Sequence, residues 1–344
     1  MTAPDASQNA PIPLHPVFRR EGLGYVFTPE SAGVVLRADH LHRTAHEVTV
    51  ELLVESLLPP TPGLVSLSKF NLSSMVSARD LAKYLTEVVP TVPWRAYLLE
   101  FAASILGTER KGTPFQMAGG TAPAVTQTYL LHPLLAEGKF NMLYGPGGAG
   151  KGQLAVLTAV LVQTGTEVLG FHAEQANVLY LDWEDDFGTL TGRIQAVSAG
   201  LGIAAPYVHY RECRAHLASQ VTQLAGYVVE HQIGYIIVDS VEMACGAGSD
   251  DSAYQNRALR LFESLRTIGN FTTLLIDHVS SNDAKAEGPG VTKPYGSIFK
   301  FNEVRWAWEV RKEQQAGSSV MNVGLFHAKY SNAGYHQPLG FELD

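Results

Sequence analysis

The stretch Leu143-Tyr144-Gly145-Pro146-Gly147-Gly148-Ala149-Gly150-Lys151-Gly152 decides the fold. It follows the pattern G-x-x-x-x-G-K-[ST], in which backbone N–H groups and the Lys hold phosphates and the final hydroxyl binds Mg²⁺. Gly145, Gly150 and Lys151 fit, but Gly152 stands where the hydroxyl belongs. The flanks agree with the motif. Residues 140–144 (FNMLY) are short, apolar and aromatic, as a buried strand requires. Residues 151–163 place Leu154, Leu157, Val160 and Leu161 on one helical stripe, with Gly165 as a stop signal. Strand, glycine loop and helix N-terminus form an anion site, because unpaired N–H groups and the helix dipole favour negative charge. The expected phosphate cradle is Gly145, Pro146, Gly147, Gly148, Ala149, Gly150, Lys151, Gly152 and Gln153. A nucleoside triphosphate is the expected ligand, and Gly152 leaves the rate of turnover open.

With 344 residues the chain has room for a large α/β domain and a smaller one. Hydrophobic residues make up 46% and charged residues 17%, which describes a soluble protein without a membrane partner. No apolar run reaches the roughly 18–20 residues of a membrane span. Residues 1–16 are polar and proline-bearing, and read as a flexible tail rather than a signal peptide. Cys213 and Cys245 have no metal-ligand spacing and read as buried small hydrophobes, in keeping with a cytoplasmic location. The net charge of −8 excludes a monomer that coats nucleic acid nonspecifically. Any such contact needs a local basic loop or a channel built by several subunits.

Three zones follow along the chain. Residues 17–110 form a small α+β domain with strand-like runs at 24–28, 33–36 and 48–54. Prolines 59, 60 and 62 interrupt it, Ser73 or Ser74 caps a helix near 76–85, and Pro93-Trp94 opens a second helix running to 106. His40, His42 and His46 fit no metal signature well and read as an exposed polar turn. Residues 111–128, rich in Gly, Ala, Pro and Thr, read as a linker. Residues 129–344 alternate strands with helices, the pattern of a parallel α/β sheet.

Acids and a histidine fall at the ends of the predicted strands of this third zone. Functional groups of open α/β sheets gather outside the carboxyl ends of strands. Residues 177–182 (NVLYLD) lead into Trp183-Glu184-Asp185-Asp186. Glu184 is placed to polarise a water beside a bound γ-phosphate, while Asp185 or Asp186 caps the next helix. Residues 234–240 (GYIIVDS) end in Asp239, where a Mg²⁺-associated acid belongs. Residues 273–277 deliver His278. The loop 280–294 is long and polar and carries Lys285 and Lys293. Beyond it, residues 304–310 alternate, with Val304, Trp306, Trp308 and Val310 on one face, and residues 321–328 return as an antiparallel strand.

Together, the loop 145–152, Glu184, Asp239, His278, Gly296-Ser297 and Lys329 resemble the RecA-like ATPases. Within them the likeness is to the RepA/DnaB-type hexameric helicase branch and related AAA-family ATPases of phages and mobile elements. The resemblance spans residues 129–344. It implies a RecA-like P-loop NTPase core, with a mainly parallel sheet and C-terminal antiparallel strands, using ATP and Mg²⁺. It implies that Glu184 activates water, that Asp239 supports the metal and that His278 senses the γ-phosphate. The segment 281–300, with Lys285, Lys293, Ser297 and Lys300, would face single-stranded DNA in the channel of a hexameric ring or filament.

The branch also carries a K-x-R-x-G finger that reaches a neighbouring subunit's nucleotide. Lys329-Tyr330-Ser331-Asn332 keeps the Lys and has Ser331 in place of the Arg, leaving Lys329 as the sole finger. Arg305 and Arg311 are alternative cations. The expectation is a DNA-dependent ATPase in replication or recombination, a helicase or motor with a replication protein as partner. Its alternative is an ATP-dependent assembly or loader protein with little turnover, favoured by Gly152. Gln153 or a water is left to replace the missing hydroxyl on Mg²⁺. A small-molecule kinase would leave Lys329 and the terminal strands unexplained.

Overall fold

The computed structural model describes residues 17–29, 33–58, 62–112, 114–117, 126–246, 251–279, 294, 298–315, 317–330 and 334–343. Two compact units divide the chain, Met1–Ala122 and Pro123–Asp344. The first contains strands β1 (Val17–Glu21), β2 (Gly24–Thr28), β3 (Val34–Arg43), β4 (Val48–Ser56) and β5 (Gly63–Asn71) as a sequential antiparallel sheet. Helices α1 (Met75–Val88) and α2 (Trp94–Lys111) follow. Ser74, rather than Ser73, caps α1, its side chain accepting from Ser77 N–H. Phe27, Leu36, Leu52 and Val54 pack with Trp94, Leu98 and Phe101 in its core.

Two strands of this unit escaped the sequence reading for a physical reason. β1 and β5 are the sheet edges, largely open to solvent, so neither shows a clean apolar alternation. Helix α2 runs past position 106 to Lys111. Gly107 does not stop it, and Arg110 and Lys111 in its last turn complement the helix dipole. His40, His42 and His46 are exposed, and His40 pairs with Glu51 at 3.0 Å. Among the described residues no cluster of His, Cys, Asp or Glu is arranged to hold a metal by itself.

The second unit opens with β6 (Tyr129–His132) and β7 (Leu135–Ala136), then β8 (Phe140–Gly145), α3 (Lys151–Thr164), β9 (His172–Ala173), β10 (Asn177–Asp182) and α4 (Phe187–Leu201). It continues with β11 (His209–Glu212), α5 (Val221–Glu230), β12 (Ile233–Asp239), α6 (Val241–Cys245), α7 (Asp251–Ile268) and β13 (Thr272–His278). Helix α8 (Ile298–Glu303), β14 (Trp306–Glu313), β15 (Met321–Lys329) and β16 (Leu339–Leu343) close it. The large sheet has the order β11-β10-β12-β13-β8-β14-β15-β16, parallel through β14 and antiparallel beyond. β7, β6 and β9 form a separate small sheet. This mixed α/β architecture, a mostly parallel sheet with a strand–loop–helix unit at its centre, is consistent with a P-loop NTPase core.

Burial explains which helices the pattern described well. α3 is covered almost all round, with ten of its residues buried from Lys151 to Val162, so its expected single stripe understates its position. β14 is likewise buried on both faces. Trp306, Trp308 and Val310 join one side of the sheet and Ala307 the other. Val304 precedes the strand and packs with Ala307, not with the tryptophans as the alternation implied. Cys213 and Cys245 are free and buried, and burial pushes both thiols up, to about 11 for Cys213 and about 12 for Cys245. No helix among the described residues is long and apolar enough to cross a membrane.

Strand register positions the site. Asp182 pairs with Asp239, Asp239 with Ile276, and His278 with Gly145. The ends of β10, β12, β13 and β8 therefore lie along one carboxyl edge, and the groups that follow them converge there.

Candidate nucleotide-binding site

The glycines of the loop answer to steric demands. A Cβ at Gly145 would stand 2.3 Å from the Val310 carbonyl oxygen, so no side chain fits there. Gly150 has φ 88°, a left-handed conformation that only glycine adopts cheaply, and it forms the N-cap of α3. No side chain caps that helix, which leaves its first N–H groups for an anion. Lys151 is buried at the first turn. Its Nζ donates to the carbonyls of Gly145 at 2.9 Å and Pro146 at 2.8 Å and lies 3.4 Å from His278 Nδ1. Burial lowers the Lys151 pKa, while Asp239, Glu184 and Asp277 oppose that shift.

The acids are held by the turn after β10. Buried Asp182 accepts the backbone N–H groups of Glu184 and Asp185, both at 2.9 Å, and so fixes where those side chains start. Trp183 N–H donates to the Asp239 carbonyl at 2.6 Å, tying this turn to β12. Glu184 Oε1 lies 3.6 Å from His278 Nε2. The His278 contact, aided by the Ser240 hydroxyl and the Lys151 charge, outweighs partial burial and depresses the Glu184 carboxyl to about 2. Asp186 caps α4, accepting from Thr189 N–H at 2.9 Å, and Asp185 instead pairs with Arg193 at 2.7 Å.

Asp239 is in the opposite electrostatic state. Burial pushes its carboxyl up to about 6, the negative charges of Glu184 and Asp182 add to that, and a hydrogen bond from Tyr180 opposes it. The Tyr180 hydroxyl donates to Asp239 Oδ2 at 2.6 Å. For fold stability the two acids therefore act in opposite senses. Glu184 contributes above its ordinary carboxylate range, and that contribution is lost as pH falls toward about 2. Asp239 is a burden above about pH 6 that protonation relieves as pH falls.

Lys151, Gly152, Glu184, Arg193, Asp239 and His278 line one cavity of about 330 Å³, a size suited to a nucleotide's phosphates. Its donor set fits Mg²⁺ with one protein ligand fewer than the usual loop. Asp239 offers a carboxylate at the right strand end, Gln153 lines the same cavity, and Gly152 offers nothing. Mg²⁺ keeps several waters and takes only one or two carboxylates, so this reduced set still suffices to hold it.

Behind the site, Asp277 accepts the His278 backbone N–H at 2.9 Å through Oδ1 and pairs with Lys300 at 2.6 Å through Oδ2. Both partners are fully buried, which corrects the expectation that Lys300 contacts nucleic acid. A cation enclosed with its counter-ion in the core cannot reach a phosphate backbone. Lys300→Met is expected to destabilise the fold by about 3 kcal/mol in urea unfolding, because Asp277 is left as an uncompensated buried charge. Lys285, Lys293 and Ser297, with Gly296, Ser331 and Asn332, lie outside the described residues.

The expected trans finger is engaged within its own chain. Lys329 Nζ donates to the carbonyls of Phe301 and Asn302, at the C-terminal end of α8, and partial burial lowers its pKa. Arg305 donates to the same Asn302 carbonyl at 2.6 Å. Arg311 makes a two-point contact with buried Glu309, both bonds at 3.0 Å, and lies over the Phe326 ring. Asp182, Tyr180 and Arg193 join the site beyond the residues expected from the sequence. Asp182 was visible as the last residue of its strand, whereas no spacing rule marks a tyrosine inside a strand or an arginine two turns into a helix.

A family model described as an AAA domain matches residues 108–284, just over half of the chain, and takes in the loop, Glu184, Asp239 and His278. No curated protein matches the chain. With the strand–loop–helix unit, the buried Lys151 and the aligned acids in place, the chain belongs to the AAA domain family of P-loop ATPases.

Proposed function

We propose that this ATPase couples ATP hydrolysis to movement on DNA in replication or recombination, as an oligomer of the RepA/DnaB type. The observation that carries the reading is the chain Lys151–His278–Glu184, with 3.4 Å and 3.6 Å between successive groups. A γ-phosphate that draws Lys151 from its loop carbonyls changes the surroundings of His278, and His278 touches the acid that orients water. The same strand end continues into Asp277, whose buried pair with Lys300 anchors α8. α8 is gripped a second time by Lys329. β13 and α8 thus bracket the segment 280–297, which carries Lys285, Lys293 and Ser297 beside Asp283 and Glu287, so phosphate occupancy has a mechanical route to a polar segment of balanced charge.

In the hydrolytic step Lys151 and the loop N–H groups hold the phosphates while Glu184 aligns the attacking water. The depressed pKa of Glu184 suits polarisation of that water more than complete proton removal, since a strong base needs a pKa nearer the working pH. Mg²⁺, when bound, neutralises charge on the phosphate oxygens, and Asp239 would hold it. Because kcat/KM reports groups of the free enzyme, it should fall as pH drops through about 6, where Asp239 takes up its proton. The measurement is a pH profile of kcat/KM. His278→Gln should lower activity yet leave the position of that limb unchanged, and loss of the limb in this variant would assign it to the histidine.

The second reading, an assembly or loader protein with slow turnover, is favoured by Gly152 alone. Steady-state hydrolysis with and without single-stranded DNA, for the native chain and Gly152→Ser, separates the two. The motor reading expects DNA-stimulated turnover in the native chain. Turnover confined to the Ser variant supports the assembly switch. Turnover that DNA does not change removes the DNA role.

A further inference from the structure

Arg193 is a charged group at the phosphate cavity that the proposed mechanism leaves without a task. It lies two turns into α4, and helical side chains lean toward their helix's N-terminus, which brings the guanidinium back to Asp185. It lines the cavity together with Lys151, Gly152 and Asp239. A Cβ built on Gly152 would stand 3.6 Å from Arg193 Nη1. A fixed cation therefore faces the place where the loop pattern carries its metal-binding hydroxyl. The charge acts on the acids of the metal corner as well, since Arg193 works against the upward shifts of both Asp239 and Asp182.

These observations join the departure at Gly152 to a compensating group. A nucleoside triphosphate brings several negative charges beside Glu184, Asp185 and Asp239. Where the hydroxyl is present, Mg²⁺ offsets them; here the metal has lost one protein ligand. A guanidinium carries five N–H donors in a planar fork, so Nη1 can keep Asp185 while other donors meet phosphate oxygens.

We propose that Arg193 is a phosphate ligand of this site and takes over charge compensation from Mg²⁺, so that nucleoside triphosphate binds with little dependence on the metal. The proposal rests on the phosphate-loop reading of residues 145–152.

Calorimetric titration of the full chain with ATP, in excess Mg²⁺ and in EDTA, tests it. The native chain is expected to bind with affinities within about threefold of each other in the two conditions. Arg193→Ala should lose about tenfold or more in EDTA and less in Mg²⁺, and adding Gly152→Ser to it should raise the dependence on Mg²⁺ further. Arg193→Gln serves as a second variant, and thermal melts of the free proteins report folding. Asp185→Asn separates a ligand from a brace: it should keep or tighten binding in EDTA, whereas equal weakening in Asp185→Asn and Arg193→Ala overturns the proposal. Native binding that falls by about 100-fold or more in EDTA, unchanged by removal of Arg193, also overturns it while leaving the phosphate loop intact. No binding by the native chain in either condition overturns the loop reading and this proposal with it.

Discussion

Glu184→Gln is expected to lower kcat for ATP hydrolysis by about 10²-fold while leaving the Kd for ATP within about threefold of the native value. The split follows from where the side chain stands. Glu184 starts from a turn fixed by Asp182, and its carboxylate lies 3.6 Å from His278 in the cavity that the glycine loop also lines. Its carboxylate can accept two hydrogen bonds from a water, and the negative charge polarises the O–H bonds. Gln keeps the size but offers one acceptor oxygen and a donating amide, so the water loses its alignment. The loop N–H groups and Lys151 are untouched, which is why binding persists. Stopped-time hydrolysis beside equilibrium titration reads both quantities. A matched loss of affinity would instead make Glu184 part of the binding surface, and unchanged kcat would remove it from the water-activating role.

Much of this site is legible in the chain because its groups sit at strand ends, where short apolar runs announce themselves. The runs NVLYLD and GYIIVDS become β10 and β12, and Glu184 just beyond the first and Asp239 at the end of the second become acids of one edge. The phosphate loop reads well for the same reason, since Gly145 and Gly150 are fixed by close backbone approach and a positive φ. Legibility fails where a side chain's role depends on what tertiary packing places beside it. Lys300 looks like a DNA-facing cation in a polar context, yet α8 carries it into the core against Asp277. Lys329 looks like a free finger, yet it closes the carbonyl end of α8. Arg193 has no signature at all until α3 and α4 pack together and bring it to Gly152. The edge strands β1 and β5 are missed because they are open to solvent over most of their length, which leaves no buried face to set an alternation.

Lys151→Ala is expected to weaken ATP binding by about 100-fold or more, the largest binding effect any single change in the loop should produce. Its ammonium is the buried cation nearest the loop carbonyls, and Asp239, Glu184 and Asp277 all act on it. Without it those acids repel the phosphates, and the loop N–H groups alone must hold them. The free protein should not lose stability in the same proportion. Burial lowers the Lys151 pKa, so the ammonium is held at a cost until an anion arrives. Every step proposed above requires that residues 145–152 and Lys151 form the ATP site. Equilibrium titration of ATP against the native chain and Lys151→Ala, with thermal melts of both, tests it most directly. The native chain should bind saturably, and the variant should lose that binding while still folding, with a melting temperature equal to or above the native one. Equal affinity in the two proteins would contradict it.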